Sequence, residues 1–140
     1  VKDDTDTGHA VSVALERGFK DFLLIGMTGR RMDHTLGNLY MLHRLDELGS
    51  RALMVDDYSE MSIVNREPVY IDDSLPFFSL INITGTAEGI DIENAKYPLR
   101  NASIVQTHND LGVSNEVLEG QVAKISVARG KLLLIRDFEG

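Results

Sequence analysis

The sequence predicts an incomplete parallel α/β layer followed by an all-β unit, and the evidence is a change in residue patterning near residue 65. Before that point, helical and strand-like segments alternate with short connections, which is typical of part of a parallel α/β sheet. After it, short β-rich runs are separated by Gly, Asn, Asp and Pro, and no window has helical periodicity. We therefore expect an α/β layer over residues 1–65 and an antiparallel β-sandwich over residues 66–140.

Four elements are predicted in the first part. Residues 6–17 carry apolar side chains at helical spacing, with Thr5 or Asp6 as a good N-cap. Residues 22–25 form a short, fully apolar run, the pattern of a strand buried on both faces. A second helix is expected over residues 33–48 and a second buried strand over residues 52–55. The broad apolar face of the second helix consists of Leu36, Leu39, Tyr40, Leu42, Leu45 and Leu48.

The second part contains short strand-like runs only. The segment from Ala128 to Lys131 has the composition of a turn, and we expect it to connect a terminal hairpin. The predicted strands cover residues 69–71, 77–83, 102–106, 122–127 and 132–135.

Composition narrows the class of protein. The 140 residues carry a formal charge of −8, which argues against nucleic acid or an anionic membrane surface as the main partner. The absence of cysteine excludes disulfides and thiolate metal sites. No apolar run has the length of a membrane span. The absence of cysteine also fits a reducing compartment, and we expect a cytoplasmic protein. Because the chain begins at Val1 within an acidic cluster, we interpret it as a piece of a longer protein.

The acidic cluster of Asp3, Asp4 and Asp6 has two interpretations. Carboxylates before a helix are favoured by the helix dipole, and no ligand is needed to explain them. Three carboxylates this close also repel one another, a cost that a divalent cation would relieve. On these residues alone, helix capping is the better explanation.

A second polar cluster follows the first predicted strand and contains Arg30, Arg31, Asp33 and His34. Its simple interpretation makes Asp33 an N-cap and the arginines solvated. Its functional interpretation is an anion site, because ligands of open parallel sheets gather beyond the carboxyl ends of strands. An arginine held by Asp33 would be preorganised for phosphate, and Asn38 follows one turn after His34 on the same helix face.

Two segments of the β-rich part are candidate ligand contacts. Ser114 and Asn115 interrupt the strand pattern, and such polar residues are usually turns but can also bond a small heterocycle. Tyr97 precedes Pro98, where the backbone is extended. A tyrosine is more often part of a core than a ligand platform.

Four motifs together give a resemblance to a known family. They are Asp3–Asp6, the segment from Gly29 to Asn38, the stretch 89–99 that ends in Lys-Tyr-Pro-Leu, and Gly112–Glu116. In this order, and across the change from α/β to β patterning, they resemble the C-terminal two-thirds of bacterial thiamine pyrophosphokinases. The resemblance implies a Rossmann-like catalytic layer followed by a β-sandwich that binds thiamine.

The resemblance also implies an activity: transfer of pyrophosphate from ATP to thiamine, giving thiamine diphosphate and AMP. It assigns Asp3 and Asp6 to Mg²⁺ and Thr5, Arg31, His34 and Asn38 to ATP. It makes Arg31 and Asp33 the catalytic pair and places Tyr97, Ser114 and Asn115 on thiamine. A homodimer with sites shared between subunits is expected.

One family motif, Gly-Asp-x-Asp-Ser, is missing from this sequence, so we expect a fragment that lacks the N-terminal metal-binding carboxylates. Two alternatives remain open. One is a non-catalytic α/β-plus-β module for dimerisation or ligand binding, and the other is a different nucleotide-binding enzyme with a similar α/β core. The sequence upstream of Val1 would discriminate between the first of these and the enzyme.

Overall fold

The computed structural model describes residues 6–26 and 31–139, which form two α-helices and two β-sheets. The helices are α1 (Asp6–Glu16) and α2 (Met32–Glu47). A short 3₁₀ turn covers Asp110–Gly112. The strands are β1 (Asp21–Ile25), β2 (Arg51–Val55), β3 (Ser59–Val64), β4 (Val69–Asp72), β5 (Phe77–Ile81), β6 (Ala87–Glu93), β7 (Leu99–Ser103), β8 (Asn115–Glu116), β9 (Val122–Gly130) and β10 (Leu132–Asp137).

The larger sheet joins the two parts of the chain. Its six strands lie in the order β1-β2-β3-β10-β5-β8, and the smaller sheet has the order β4-β9-β6-β7. β1 and β2 are parallel, and every other pairing is antiparallel. The predicted fold class is confirmed: a parallel strand pair with two helices leads into an antiparallel sandwich. The division at residues 65 and 66 stays a proposal, because the six-stranded sheet runs across it.

Two apolar clusters hold the layers together. One lies between the sheets, where side chains such as Phe78, Leu80 and Leu132 meet Ile90 and Ile125 of the smaller sheet. The other lies on the opposite face of the six-stranded sheet, against the helices. Its buried members are Val11, Leu24, Leu42, Leu45, Met54, Met61 and Leu133. Burial of these side chains, each stabilising by about 1.5–3 kcal/mol, fixes α2 on the sheet.

β1 differs from its prediction as a strand buried on both faces. Leu24 is buried, but Leu23 and Ile25 are 61% and 68% exposed. The reason is that β1 is an outer strand, and within the described residues only its Leu24 face is covered by helices. The apolar face of α2 is likewise narrower than predicted, since Leu36, Tyr40 and Leu48 are exposed.

The predicted terminal hairpin is wrong. β9 pairs with β4 and β6, whereas β10 pairs with β3 and β5, so the chain changes sheets between them. Gly130 makes this change possible. Its φ is +84°, and a Cβ there would lie 1.8 Å from the carbonyl oxygen of Thr86.

No helix among the described residues is both long and apolar enough to cross a membrane.

Candidate functional site

Arg31 and Asp33 form an ion pair at the beginning of α2. Arg31 immediately precedes the helix, and Asp33 lies in its first turn. Nη2 of Arg31 lies 2.7 Å from Oδ2 of Asp33, and Nε lies 3.3 Å from Oδ1. Both side chains are more than 60% exposed. A guanidinium held by two contacts in this way keeps further N–H donors for an anion that arrives from solvent.

Asp33 is not the N-cap that the simple interpretation proposed. α2 begins at Met32, its N-cap residue is Arg31, and Arg31 makes no side-chain capping bond. Asp33 instead accepts the backbone N–H of His34 at 2.9 Å. The hydrogen bond from Arg31, then that from the His34 backbone, lowers the pKa of Asp33. Asp33 is therefore ionised at neutral pH and is a weak base.

The other candidate ATP residues lie partly within the described chain. His34 is exposed, and Asn38 is half-buried one turn further along α2. Asp3, Thr5 and Arg30 lie outside the described residues, and Asp6 begins α1 with its side chain undescribed. Among residues 6–26 and 31–139, no three His, Asp or Glu side chains converge as a metal site.

Tyr97, Ser114 and Asn115 come together around one cavity of about 260 Å³. Tyr97 follows β6, whereas Ser114 and Asn115 lie at the beginning of β8. The fold joins them through a backbone hydrogen bond from Lys96 to Glu116 and a bridge between Ala95 and Val117. The remaining wall of the cavity consists of Phe77, Phe78, Lys96, Glu116 and Asp137.

Tyr97 and Asn115 have different positions in this cavity. The Tyr97 ring is 55% exposed, so it is a surface platform and not a core residue. Nζ of Lys96 lies 5.6 Å from the centre of that ring. Asn115 is only 4% exposed, and its amide bonds the backbone N–H and C=O of Tyr97. These two hydrogen bonds from Asn115 hold the backbone of Tyr97 in place beside the cavity.

Ser114 has an unusual backbone conformation. Its φ is +60°, a region that residues other than glycine adopt rarely and at a cost of roughly 1–3 kcal/mol. Its N–H donates to Oγ of Ser79 at 3.0 Å. This bond holds the turn before β8 and leaves the exposed Ser114 side chain at the cavity.

Sequence reasoning missed Phe77 and Asp137. Asp137 ends β10 and pairs with Phe77 of β5, which in turn pairs with Glu116 of β8. Directly paired residues place their side chains on the same face of a sheet, so these three form a row beside the cavity. No local sequence signal shows this, because the row depends on the register between strands.

The two groups of candidate residues lie at the same end of the strands of the six-stranded sheet. β1, β2 and β10 run in the same direction, and their carboxyl ends lie at this end of the sheet. The segment leading to Arg31 follows β1, and Asp137 ends β10. α2, which begins directly after Arg31, packs on β2 and β3, and β8 lies three positions beyond β3 in the sheet. Because neighbouring strands are about 4.8 Å apart, β3 and β8 are separated by roughly 14 Å.

A second cavity, of about 410 Å³ and larger than the Tyr97 cavity, lies at the opposite end of the strands, where β2 begins. Asp46, Asn65 and Arg66 are part of its wall, near the C-terminus of α2. Helix C-termini present carbonyl oxygens and repel anions, so this cavity is a poorer phosphate site than the beginning of α2.

Comparison with known proteins identifies the family. Residues 1–54 match the family model for the thiamin pyrophosphokinase catalytic domain, and residues 63–132 match that for the vitamin B1 binding domain of thiamin pyrophosphokinase. Thiamine pyrophosphokinase from Bacillus subtilis (strain 168) is 28% identical over 138 residues, which cover 97% of this chain. The chain spans 64% of the length of that relative.

Solved structures agree. Thiamine pyrophosphokinase from Bacillus subtilis superimposes with a TM-score of 0.89 at 26% identity, over 100% of this chain and 66% of that one. The protein from Geobacillus thermodenitrificans gives a TM-score of 0.82 at 28% identity, over 98% of this chain and 63% of that one. Both family models match in order and together span most of the sequence, so the chain belongs to the thiamin pyrophosphokinase family.

Proposed function

We propose that this chain provides the thiamine-binding cavity and part of the phosphate site of a thiamine diphosphokinase. That enzyme transfers the pyrophosphoryl group of ATP to the hydroxyethyl oxygen of thiamine and releases AMP. The observation that carries the proposal is the cavity that gathers Tyr97, Ser114 and Asn115 from two separate segments. An aromatic face beside small polar groups suits a flat heterocycle.

The Arg31–Asp33 pair is the proposed phosphate contact. Transfer requires that the alcohol be held in line with the β-phosphorus while negative charge spreads over the phosphate oxygens. Arg31 supplies fixed donors for that charge. Because the pKa of Asp33 is lowered, we assign this carboxylate to orienting Arg31 and not to removing a proton. His34, Asn38 and Thr5 complete the proposed ATP site.

Magnesium and the subunit arrangement belong to the same proposal. Asp3 and Asp6 are the candidate Mg²⁺ ligands, with Mg²⁺ neutralising phosphate charge when bound. Arg31 precedes a helix that packs on β2 and β3 whereas the cavity lies at β8, and this separation supports a homodimer in which the cavity of one chain meets Arg31 of the other. A cytoplasmic location fits an enzyme that consumes ATP.

Two measurements test the proposal. The first is AMP release by the full-length protein, meaning this chain with whatever sequence precedes Val1, assayed with and without thiamine and Mg²⁺. Release that requires both supports the enzyme. The second is direct binding of each substrate. Thiamine binding without AMP release would support the non-catalytic ligand-binding module, and ATP binding without thiamine binding would support a different nucleotide-binding enzyme.

A further inference from the structure

The wall of the Tyr97 cavity carries more negative than positive charge. Its charged members are Glu116, Asp137 and Lys96. Nζ of Lys96 lies 5.6 Å from the centre of the Tyr97 ring, so the one cation among these wall residues is engaged with that ring, while the wall holds two carboxyl groups. A ligand with a positively charged aromatic ring fits these features better than a neutral or anionic one.

Asp137 is half-buried at the end of β10, between Ser59 of β3 and Phe77 of β5. Burial raises the pKa of this carboxyl, and the negative charge of Asp56 raises it further. The adjacent cation, Arg136, is engaged with Glu60 and Asp72. Within the described ranges, no Arg, Lys or His forms an ion pair with Asp137.

We propose that Asp137 is a specificity residue that selects ligands whose aromatic ring carries a positive charge. This inference rests on the proposed function, for which the charged ring is the thiazolium of thiamine. A carboxylate in the cavity wall, paired across the sheet with Phe77, stabilises that ring by Coulomb attraction, which is stronger at a partly desolvated site than in water. Glu116, in the same row across the sheet, adds to the attraction.

The experiment compares thiamine with an uncharged isostere in which carbon replaces the quaternary ring nitrogen. Binding to the full-length protein is measured by calorimetry for the wild type and for Asp137→Asn. We expect Asp137→Asn to weaken thiamine binding about tenfold, as for other charge-assisted contacts, and to leave the isostere within about twofold. Equal losses for both ligands, or no loss for thiamine, would overturn the proposal.

Two further variants exclude indirect effects. Glu119→Gln removes one negative charge from an exposed position that is not part of the cavity wall, and should leave both affinities unchanged. Asp137→Glu keeps the charge and should retain the preference for thiamine. A Glu119→Gln effect as large as that of Asp137→Asn would show that net charge, and not Asp137, sets the preference.

A smaller probe separates this inference from the choice of substrate. An N-methylated hydroxyethylthiazolium and its unmethylated, neutral thiazole carry the charge difference without the aminopyrimidine of thiamine. Preferential binding of the thiazolium, lost in Asp137→Asn, supports the inference even if thiamine does not bind and the proposed function fails. Absence of any preference between the two rings in the wild type would overturn it.

Discussion

The side-chain amide of Asn115 bonds the backbone of Tyr97 in both directions. Oδ1 accepts the Tyr97 N–H at 3.0 Å, and Nδ2 donates to the Tyr97 carbonyl oxygen at 2.8 Å. Tyr97 lies outside the strands, and the Asn115 amide supplies the two hydrogen bonds that a neighbouring strand would otherwise make with its backbone. Oδ1 also accepts the N–H of Glu116 at 2.9 Å, which ties the same amide to β8.

Asn115→Ala should loosen Tyr97 without unfolding the protein. Loss of the two bonds removes roughly 1–3 kcal/mol of local stabilisation, because each net hydrogen bond contributes about 0.5–1.5 kcal/mol. We expect amide hydrogen exchange of Tyr97 to accelerate and the affinity for thiamine to fall.

Ser114→Ala is the matched control for this change. It removes only a hydroxyl, and the Ser114 N–H that bonds Ser79 is retained. Exchange at Tyr97 should therefore match the wild type. If Asn115→Ala weakens thiamine binding while exchange at Tyr97 stays slow, Asn115 acts by direct contact with the ligand instead.

Arg31→Ala in the full-length protein should lower turnover while the fold remains intact. The Arg31 guanidinium is exposed and pairs only with Asp33 among the described residues, so its removal leaves no buried group unpaired. Loss of one oriented, charge-stabilising donor typically reduces the rate by roughly 10²–10³. Asp33→Ala should also lower turnover, since it releases the guanidinium that Asp33 orients.

Arg51→Ala is the control for Arg31. Arg51 also pairs with an aspartate, Asp21, at 2.8 Å, and both side chains are exposed. Arg51 is the first residue of β2 and lies at the end of the strands opposite to Arg31, so Arg51→Ala should not change turnover. Wild-type turnover in a folded Arg31→Ala protein would assign Arg31 to the simple, solvated role.

Lys131 should contribute measurably to stability because it joins the beginning of β10 to the last turn of α2. Its Nζ contacts Asp46 at 2.5 Å and Glu47 at 2.8 Å, and its side chain is only 9% exposed. Burial alone would lower the pKa of Lys131, but the hydrogen bonds with Asp46 and Glu47 raise it overall. Lys131→Met should lower the free energy of unfolding by about 1.5–3 kcal/mol, typical for a hydrogen bond to a charged group.

The pH dependence checks that assignment. The hydrogen bond from Lys131 lowers the pKa of Glu47 below its ordinary value of 4.5. A carboxylate with a lowered folded-state pKa stabilises above its unfolded pKa and loses that effect as the pH falls through the folded value. Denaturant unfolding at neutral pH should therefore show the full difference between wild type and Lys131→Met. The difference should shrink below pH 4.5, and a constant difference would contradict the ion-pair explanation.

The sequence predicted the type of most elements because their signals are local. Apolar spacing and glycine stops gave both helices, and apolar runs gave β1, β2 and β10. β3, β6 and β8 were not predicted. β3 has three polar residues, Ser59, Glu60 and Ser62, without a regular alternation, and β8 has only two residues, so each becomes a strand through its neighbours in the sheet. Tertiary pairing overrides weak local preference in such segments.

The candidate site divides in the same way. Tyr97, Ser114 and Asn115 were predicted from motifs, and the structure brings them together. Asp137 was not predictable, because its place beside Phe77 follows from the register of β10 on β5. The change of sheet after β9 was hidden for a similar reason: the segment around Gly130 has the composition of an ordinary turn.

Gly130→Ala should destabilise the sandwich at that change of sheet. Alanine at φ +84° would place its Cβ 1.8 Å from the Thr86 carbonyl oxygen. The left-handed conformation costs roughly 1–2 kcal/mol, and a backbone clash adds to it. Gly120 has φ +72°, and no atom lies within 4 Å of the position that a Cβ would take there, so Gly120→Ala should show the conformational cost alone. Equal melting temperatures for the two variants would exclude the clash.

Activity should return when two inactive forms of the full-length protein are mixed, if sites are shared between subunits. Arg31 directly precedes α2, which packs on β2 and β3, whereas Ser114 and Asn115 lie at β8, three positions beyond β3 in the sheet, so the two groups lie over different strands of one chain. A mixed dimer of Arg31→Ala with Ser114→Ala/Asn115→Ala would contain one site without substitutions and one with both sets. After subunit exchange at equal concentrations, about half of the dimers are mixed, so the specific activity should recover to roughly a quarter of the wild-type value. Fluorescence transfer between labelled subunits verifies the exchange. If exchange is complete and no activity returns, both groups act within one chain, and the proposed arrangement across the dimer is wrong.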